Sequence, residues 1–487
     1  MPVENGNWAF LTTPFRKALM TRSVVKSILL AAAFFALGEG VAAQTVSRPL
    51  LQDIQVQREP APTPTPLIKR TGSSSRADDV VAGVNAPISG VKTSIPILAE
   101  TPIPGLSGVL VENLRGDVVI ASGTDTPLNP ASNVKIATTY AVLKRYGPNY
   151  RFSTNVWTDG SYDQATATIR GNLYITGIDP VFSYEDAINL ANELNRIGIR
   201  SVQGDLFLDD SLVFNYGNIT ARSGQTLLNT MDAAKRPAAA TRAWGSFRIN
   251  SGKYQQLNEM PSVSFTGSAY VQPRPADANL LFSHQSAPLK DVVKVMMSYS
   301  NNFLSEKLGD MAGGPFGIAR TVQEDTGSSP QEFYIQTASG LGINRVTATA
   351  MMRLLRTLRA KLGEWDMSLE DVMPVAGMDS GTLEGRFATD FSRGSVVGKT
   401  GTLGRTDGGV SALAGEIGTR NGRLLFVIFN QRGSVPRFRS FQNYYVSLIQ
   451  GQFGGAAPIG YSGSSVDALL TKTAFAYPDS RPRIAGN

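Results

Sequence analysis

Read by its apolar and polar positions, the chain separates into segments of different period. Val109-Leu110-Val111 and Val118-Val119-Ile120 are short apolar runs on either side of the polar turn Arg115-Gly116-Asp117, as paired strands require. After Pro130-Ala131-Ser132 the apolar positions fall at helical spacing through Tyr140, Leu143 and Tyr146, and Gly147-Pro148 ends the run. From 152 to 281 the pattern changes to short strand-like pieces such as Asn172-Leu173-Tyr174-Ile175-Thr176 and Asp205-Leu206-Phe207-Leu208, with one helix-like segment from Tyr184 to Ile197. Residues 287 to 311 return to helical spacing, with Val292, Val295, Met296, Phe303 and Leu308 apolar, and Ser300-Asn301-Asn302 interrupts them as a joint between helices would. The last third is again strand-like: Gly394 to Gly401, Gly409 to Ile417, then the hairpin turn Asn421-Gly422 and Leu424 to Phe429. An amphipathic helix fits 438 to 450. Two early strands, three late strands and a closing helix predict an α+β fold, one antiparallel five-stranded sheet flanked by helices. The strand-rich stretch reads as a large domain inserted into it.

The predicted organisation follows. Residues 96–151 and 282–457 form the two parts of the main domain, and 152–281 form the insertion. Residues 44–95 are rich in Pro, Ser and Thr, with Pro60-Ala61-Pro62-Thr63-Pro64-Thr65-Pro66 and Ser73-Ser74-Ser75, and read as a flexible tether. Residues 458–487 read as a flexible C-terminal tail of similar composition. Residues 1–43 read as a secretion signal: basic residues up to Lys26, an apolar run from Ser27 to Leu37, then Val41-Ala42-Ala43 before the expected cleavage. The apolar run is short for a membrane span; an uncleaved anchor is the alternative. Either way the chain is expected to work outside the cytoplasm, in the periplasm.

Composition narrows the chemistry. The 487 residues contain no cysteine and one histidine, His284, so disulfides, thiolate metal sites, a cysteine nucleophile and a multi-histidine metal site are excluded. The formal charge of +7 has no Lys/Arg-rich run behind it and suits a carboxylate-rich polymer better than nucleic acid, for which no binding motif is present. A Ser-His-Asp triad through His284 lacks the Gly-x-Ser-x-Gly elbow that would mark its nucleophile. Asp179 and Asp209-Asp210, which could suggest sugar cleavage, read as turn and surface residues.

Three motifs remain, in one order: Ser132-Asn133-Val134-Lys135, Ser300-Asn301-Asn302 and Lys399-Thr400-Gly401. Together they offer a hydroxyl nucleophile, a lysine beside it, a polar bridge and a cationic strand for a carboxylate, a serine acyl-transfer site without histidine. Ser-x-x-Lys also occurs at Ser23/Lys26 and Ser89/Lys92, but these fall in the leader and the tether. Only Ser132/Lys135 opens a helix, where three residues' separation puts both side chains on one face. Ser-x-Asn also occurs at Ser153/Asn155, which opens a strand-like piece. Tyr299-Ser300-Asn301 is a second parse of the middle motif.

On these residues the chain resembles the low-molecular-mass, class C penicillin-binding proteins, which are D-Ala-D-Ala carboxypeptidases and endopeptidases. The resemblance runs through Thr126-Pro127-Leu128-Asn129-Pro130-Ala131-Ser132-Asn133-Val134-Lys135, Gln285-Ser286-Ala287-Pro288-Leu289, Ser339-Gly340-Leu341, Pro374-Val375-Ala376-Gly377, Gly381-Thr382-Leu383 and Lys399-Thr400-Gly401-Thr402-Leu403. The family also carries a large insertion between its first two motifs, as expected here, and its fold is the D,D-peptidase/β-lactamase-like one. The resemblance implies Ser132 as nucleophile, Lys135 as base, Ser300 as proton relay and Asn302 as orienting group. It implies Lys399, Thr400, Gly401 and Thr402 as substrate-binding residues, with the Ser132 and Thr402 amides as oxyanion hole. Burial and the charge of Lys399 are expected to lower the Lys135 pKa. The implied partners are peptidoglycan stem peptides ending in D-Ala-D-Ala and β-lactam antibiotics as covalent inhibitors, with peripheral membrane contact and no metal or organic cofactor. A β-lactamase-like hydrolase and a penicillin-binding module without turnover remain as alternatives.

Overall fold

The structure is a computed structural model that describes residues 90–463 and 465–478. The expected signal segment and nearly all of the tether lie outside the described residues. The main sheet has five antiparallel strands: β1 (Leu106–Asn113), β2 (Val118–Ser122), β3 (Val396–Leu403), β4 (Val410–Thr419) and β5 (Gly422–Gln431). Their order is β3-β4-β5-β1-β2, so β3 is an edge strand. The unbroken apolar runs in β1 and β5 reflect burial on both faces. Leu110, Leu425, Val427 and Phe429 join one core; Val109, Val111, Phe426 and Ile428 join the other. Each such side chain contributes about 1.5–3 kcal/mol by leaving water.

Helices cover the two faces. On the first lie α1 (Val134–Tyr146), the pair α2 (Leu289–Tyr299) and α3 (Asn302–Met311), and α4 (Ala348–Gly363). On the second, α5 (Val435–Gln452) packs Tyr445, Val446 and Ile449. Every residue of α1 from Val134 to Leu143 is buried, Lys135 included. That is why its sequence reads as apolar on more than one side and why it can carry a charge-bearing group into the interior.

The stretch between α1 and α2 has its own core, built from Val156, Leu173, Ile175, Leu190, Leu206 and Phe282 among others. Its six-stranded sheet is mixed, and three helices pack in this region: Tyr184–Arg196, Ala221–Met231 and Ala238–Asn250. The sequence reading found only the first helix. In Ala238–Asn250 the apolar positions Ala240, Trp244 and Phe247 are spaced for a helix, but Arg and Gly residues between them weaken the pattern.

Two expectations at the ends are corrected. The tether does not run to residue 95: Lys92 exchanges backbone hydrogen bonds with Ala121 of β2 (2.8 and 3.0 Å), and Pro96–Glu100 is helical. The tail is not uniformly flexible after 457: Val466–Leu469 is helical, and Ala474–Ala476 pairs with Ser283–Gln285 as the outermost strand of the six-stranded sheet. A three-residue strand gives almost no periodic signal. What fixes it is Phe475, whose ring meets Phe282 edge-on at 5.5 Å and lies 5.3 Å from the His284 ring. Replacing Phe475 with Ala should therefore lower stability by about 1–3 kcal/mol, below a fully buried Phe because the ring is only partly covered. A thermal midpoint equal to wild type would show that this strand does not contribute to the fold.

Candidate active site

Chain geometry first sets the serine. Ala131–Asn133 forms a single tight turn that runs directly into α1, with Ala131 at φ 46°. Two glycines let neighbouring chain segments close on this turn. A Cβ on Gly340 would fall 2.0 Å from the Ala131 carbonyl oxygen, and one on Gly401 would fall 2.6 Å from that of Pro130. Asn129 ties the turn from below: its Oδ1 accepts from the Ala131 N–H at 3.0 Å, and its Nδ2 donates to Asp407 at 2.8 Å.

Lys135 then reaches back from the first turn of α1. Its Nζ lies 3.2 Å from Ser132 Oγ, 2.7 Å from Asn302 Oδ1 and 2.7 Å from the Ser339 carbonyl oxygen. Two of these partners, an amide oxygen and a backbone carbonyl, can only accept. In the neutral amine the two N–H bonds are therefore taken up by Asn302 and Ser339. The lone pair is left facing the one partner that can donate, the Ser132 hydroxyl. Burial pushes the Lys135 ammonium down to about 7, while the Glu306 carboxylate opposes the shift. Lys399 is buried as well, and burial and the charge of Lys135 together hold its pKa well below the usual lysine range.

Ser300 stands at the joint between α2 and α3 in a left-handed conformation, φ 56° and ψ 37°, unusual for a residue with a side chain. Its hydroxyl accepts from Lys399 Nζ at 2.8 Å. Asn301 caps α3 by accepting from the Leu304 N–H at 3.0 Å, which leaves Asn302 to face Lys135. The Tyr-x-Asn parse is thereby set aside, since Tyr299 donates to Asp467 at 2.5 Å and Asn301 serves the helix. On β3, Thr400 Oγ1 donates to Thr382 Oγ1 at 2.9 Å, and Thr402 Oγ1 accepts from Arg439 at 2.9 Å. The eight sequence-predicted residues thus lie on the serine turn and the start of α1, the α2–α3 joint and β3, with Gly401 packed directly over the serine turn.

Sequence reasoning missed Glu306, and did not name Thr382 or Ser339 individually although it quoted the strings that hold them. Glu306 accepts from the Ala338 and Ser339 N–H groups at 3.2 and 3.0 Å, so it aims the Ser339 carbonyl at Lys135. Its sequence signal is its place four residues after Asn302, on the same face of α3. His284 lies buried in the strand Asn279–Gln285, its pKa lowered to about 3 by burial. Ser153 and Asn155 sit in the neighbouring strand, their side chains bonded to Gln285 and Ser283.

Known proteins resemble the chain over most of its length. The chain is 25% identical over 468 residues to the D-alanyl-D-alanine carboxypeptidase of Actinomadura sp. (strain R39), covering 75% of this chain and 85% of that one. It is 27% identical over 429 residues to a carboxypeptidase of Mycobacterium tuberculosis, covering 79% and 88%. Among solved structures, a predatory endopeptidase of Bdellovibrio bacteriovorus acylated by penicillin G shares the fold at a TM-score of 0.63 with 20% identity, over 76% of this chain and 99% of that one. The sequence profile of the D-Ala-D-Ala carboxypeptidase 3 (S13) family matches residues 97–220 and 253–443. Because these segments take in the serine turn, the α2–α3 joint and the lysine strand, and span well over half of the sequence, the chain belongs to the D-Ala-D-Ala carboxypeptidase 3 (S13) family.

Proposed function

We propose that the protein is a serine-type D-Ala-D-Ala carboxypeptidase, with D,D-endopeptidase action open to the same chemistry, acting on peptidoglycan stem peptides. The observation that carries this reading is the hydrogen-bond set of Lys135. Two obligate acceptors hold its N–H groups, so the neutral amine directs its lone pair to Ser132.

In this reading Ser132 Oγ attacks the carbonyl of the penultimate D-Ala while Lys135 takes the hydroxyl proton. The C–O bond of the acyl-enzyme forms, the C–N bond breaks, and the proton passes by way of Ser300 to the leaving amine. Water then attacks the ester, giving its proton back through the same groups and releasing Ser132. Asn302 and the Ser339 carbonyl orient Lys135. The Ser132 and Thr402 amides receive the developing oxyanion. Lys399, Thr400, Gly401 and Thr402 line β3, and its position at the sheet edge suits a peptide added as a further strand. Penicillin would acylate Ser132 by the same attack. The leader-like first 43 residues support export to the periplasm with cleavage after Ala43, and peripheral contact with the membrane is compatible with it.

Two measurements test the reading. The chain from Gln44 onward, incubated with a fluorescent penicillin, should gain a stable mass adduct that Ser132→Ala abolishes. Rapid clearance of the adduct with drug hydrolysis would point to a β-lactamase, and no adduct at all would exclude an acyl-enzyme. The second uses pH. Only the neutral amine of Lys135 can take the proton, so the acylation rate should rise through a midpoint near pH 7 and fall away below it. A profile flat from about pH 5.5 to about 8.5 would remove Lys135 as the base.

A further inference from the structure

The motifs leave one cation at the end of β3 without a role. Arg439 projects from α5 and donates to Thr402 Oγ1 at 2.9 Å, and both side chains are exposed. Among the described residues Arg439 has no carboxylate partner, although several other arginines have one. Arg345, Arg356, Arg359 and Arg423, for example, pair with Asp407, Glu112 and Glu416.

Behind it stands a second guanidinium. Arg386 donates to Asn443 Oδ1 at 2.8 Å and Gln442 Oε1 at 3.3 Å, both neutral amides. Burial, with a further push from Arg439, lowers its pKa to about 10. Two positive groups are thus held near one another, with no negative charge bonded to either among the described residues. Like charges in a partly buried setting repel, and an anion arriving beside them relieves that repulsion.

The surroundings select the kind of anion. Arg439 presents a planar fork, and Thr402, Thr400 and Thr382 add hydroxyls along the same edge. A fork beside hydroxyl donors matches the two oxygens of a carboxylate. Lys399, in contrast, is engaged further in, on Ser300 Oγ and the Thr400 carbonyl at 2.8 Å each.

We propose that Arg439 is a specificity-determining residue: with Thr402 it binds the free C-terminal carboxylate of the peptide, and Arg386 supports the positive field from behind. The inference rests on the D,D-peptidase reading and deepens it. It assigns discrimination between ionised and capped peptide ends to a residue on α5, outside the three motifs.

The test compares two peptides, diacetyl-L-Lys-D-Ala-D-Ala with a free carboxylate and the same peptide ending in a carboxamide. Wild type should prefer the acid. Arg439→Gln should lower kcat/KM for the acid about tenfold to a hundredfold, mainly through KM, and change the amide by less than about twofold, as loss of a charged hydrogen bond predicts. Arg439→Lys, which keeps the charge and loses the fork, should fall between them. An unchanged acid-to-amide ratio in Arg439→Gln would overturn the assignment. So would an equal loss on both peptides, the mark of a merely structural role. If wild type cleaves neither peptide and forms no penicillin adduct, the D,D-peptidase reading itself fails, and the assignment with it.

Discussion

The structure depends on burying an amine and leaving it usable. Lys135 is fully enclosed on a helix whose neighbours are almost all apolar, and nothing bonded to it carries a negative charge. Burial of an ammonium without a contacting counter-ion is costly, and the group answers by giving up its proton more readily. Glu306 sets the limit on this. It stands close enough to oppose the shift, but its oxygens are taken by the Ala338 and Ser339 amides. The result is an amine poised near neutrality, which is where a general base is most effective.

Keeping that amine aimed requires the rest of the fold. The 338–340 segment must present its carbonyls inward. Thr138 from α1 and Ser305 from α3 both donate to the Ala338 carbonyl, at 2.7 and 2.8 Å, while Glu306 holds the amides. Gly340 must lack a side chain because the serine turn lies against it, and Gly401 must lack one because β3 crosses the same turn. The left-handed Ser300 then lets one joint serve two lysines, its own hydroxyl toward Lys399 and Asn302 toward Lys135. A strained residue held by several independent contacts is what a site that must not relax would show.

Much of this was legible in the chain. The unbroken apolar runs Val109-Leu110-Val111 and Leu424 to Phe429 announced central strands because burial on both faces removes the alternation. Asn421-Gly422 announced the hairpin because only certain residues accept its backbone angles. The helix–joint–helix reading of 287 to 311 followed from polar residues breaking an apolar period. Local signals failed where the element was held by distant partners. The strand Ala474–Ala476 is too short to show a period and exists through its pairing with Ser283–Gln285. The helix Ala238–Asn250 presents a weak stripe because few of its residues are buried, Ala240, Trp244, Phe247 and Arg248, and one of these is charged.

By itself, then, the sequence determined the order of the three motifs, the periods of the strands and helices that carry them, and the placement of Ser132 and Lys135 one helical turn apart. These are properties of neighbours along the chain, fixed by backbone geometry and side-chain period. Only the tertiary structure decided how far the Lys135 pKa falls, that Lys399 is buried beside it and lowered too, that Glu306 aims the Ser339 carbonyl, and that Arg439 meets Thr402. Each of these depends on burial or on contact between residues far apart in sequence, and neither quantity exists until the chain has closed on itself.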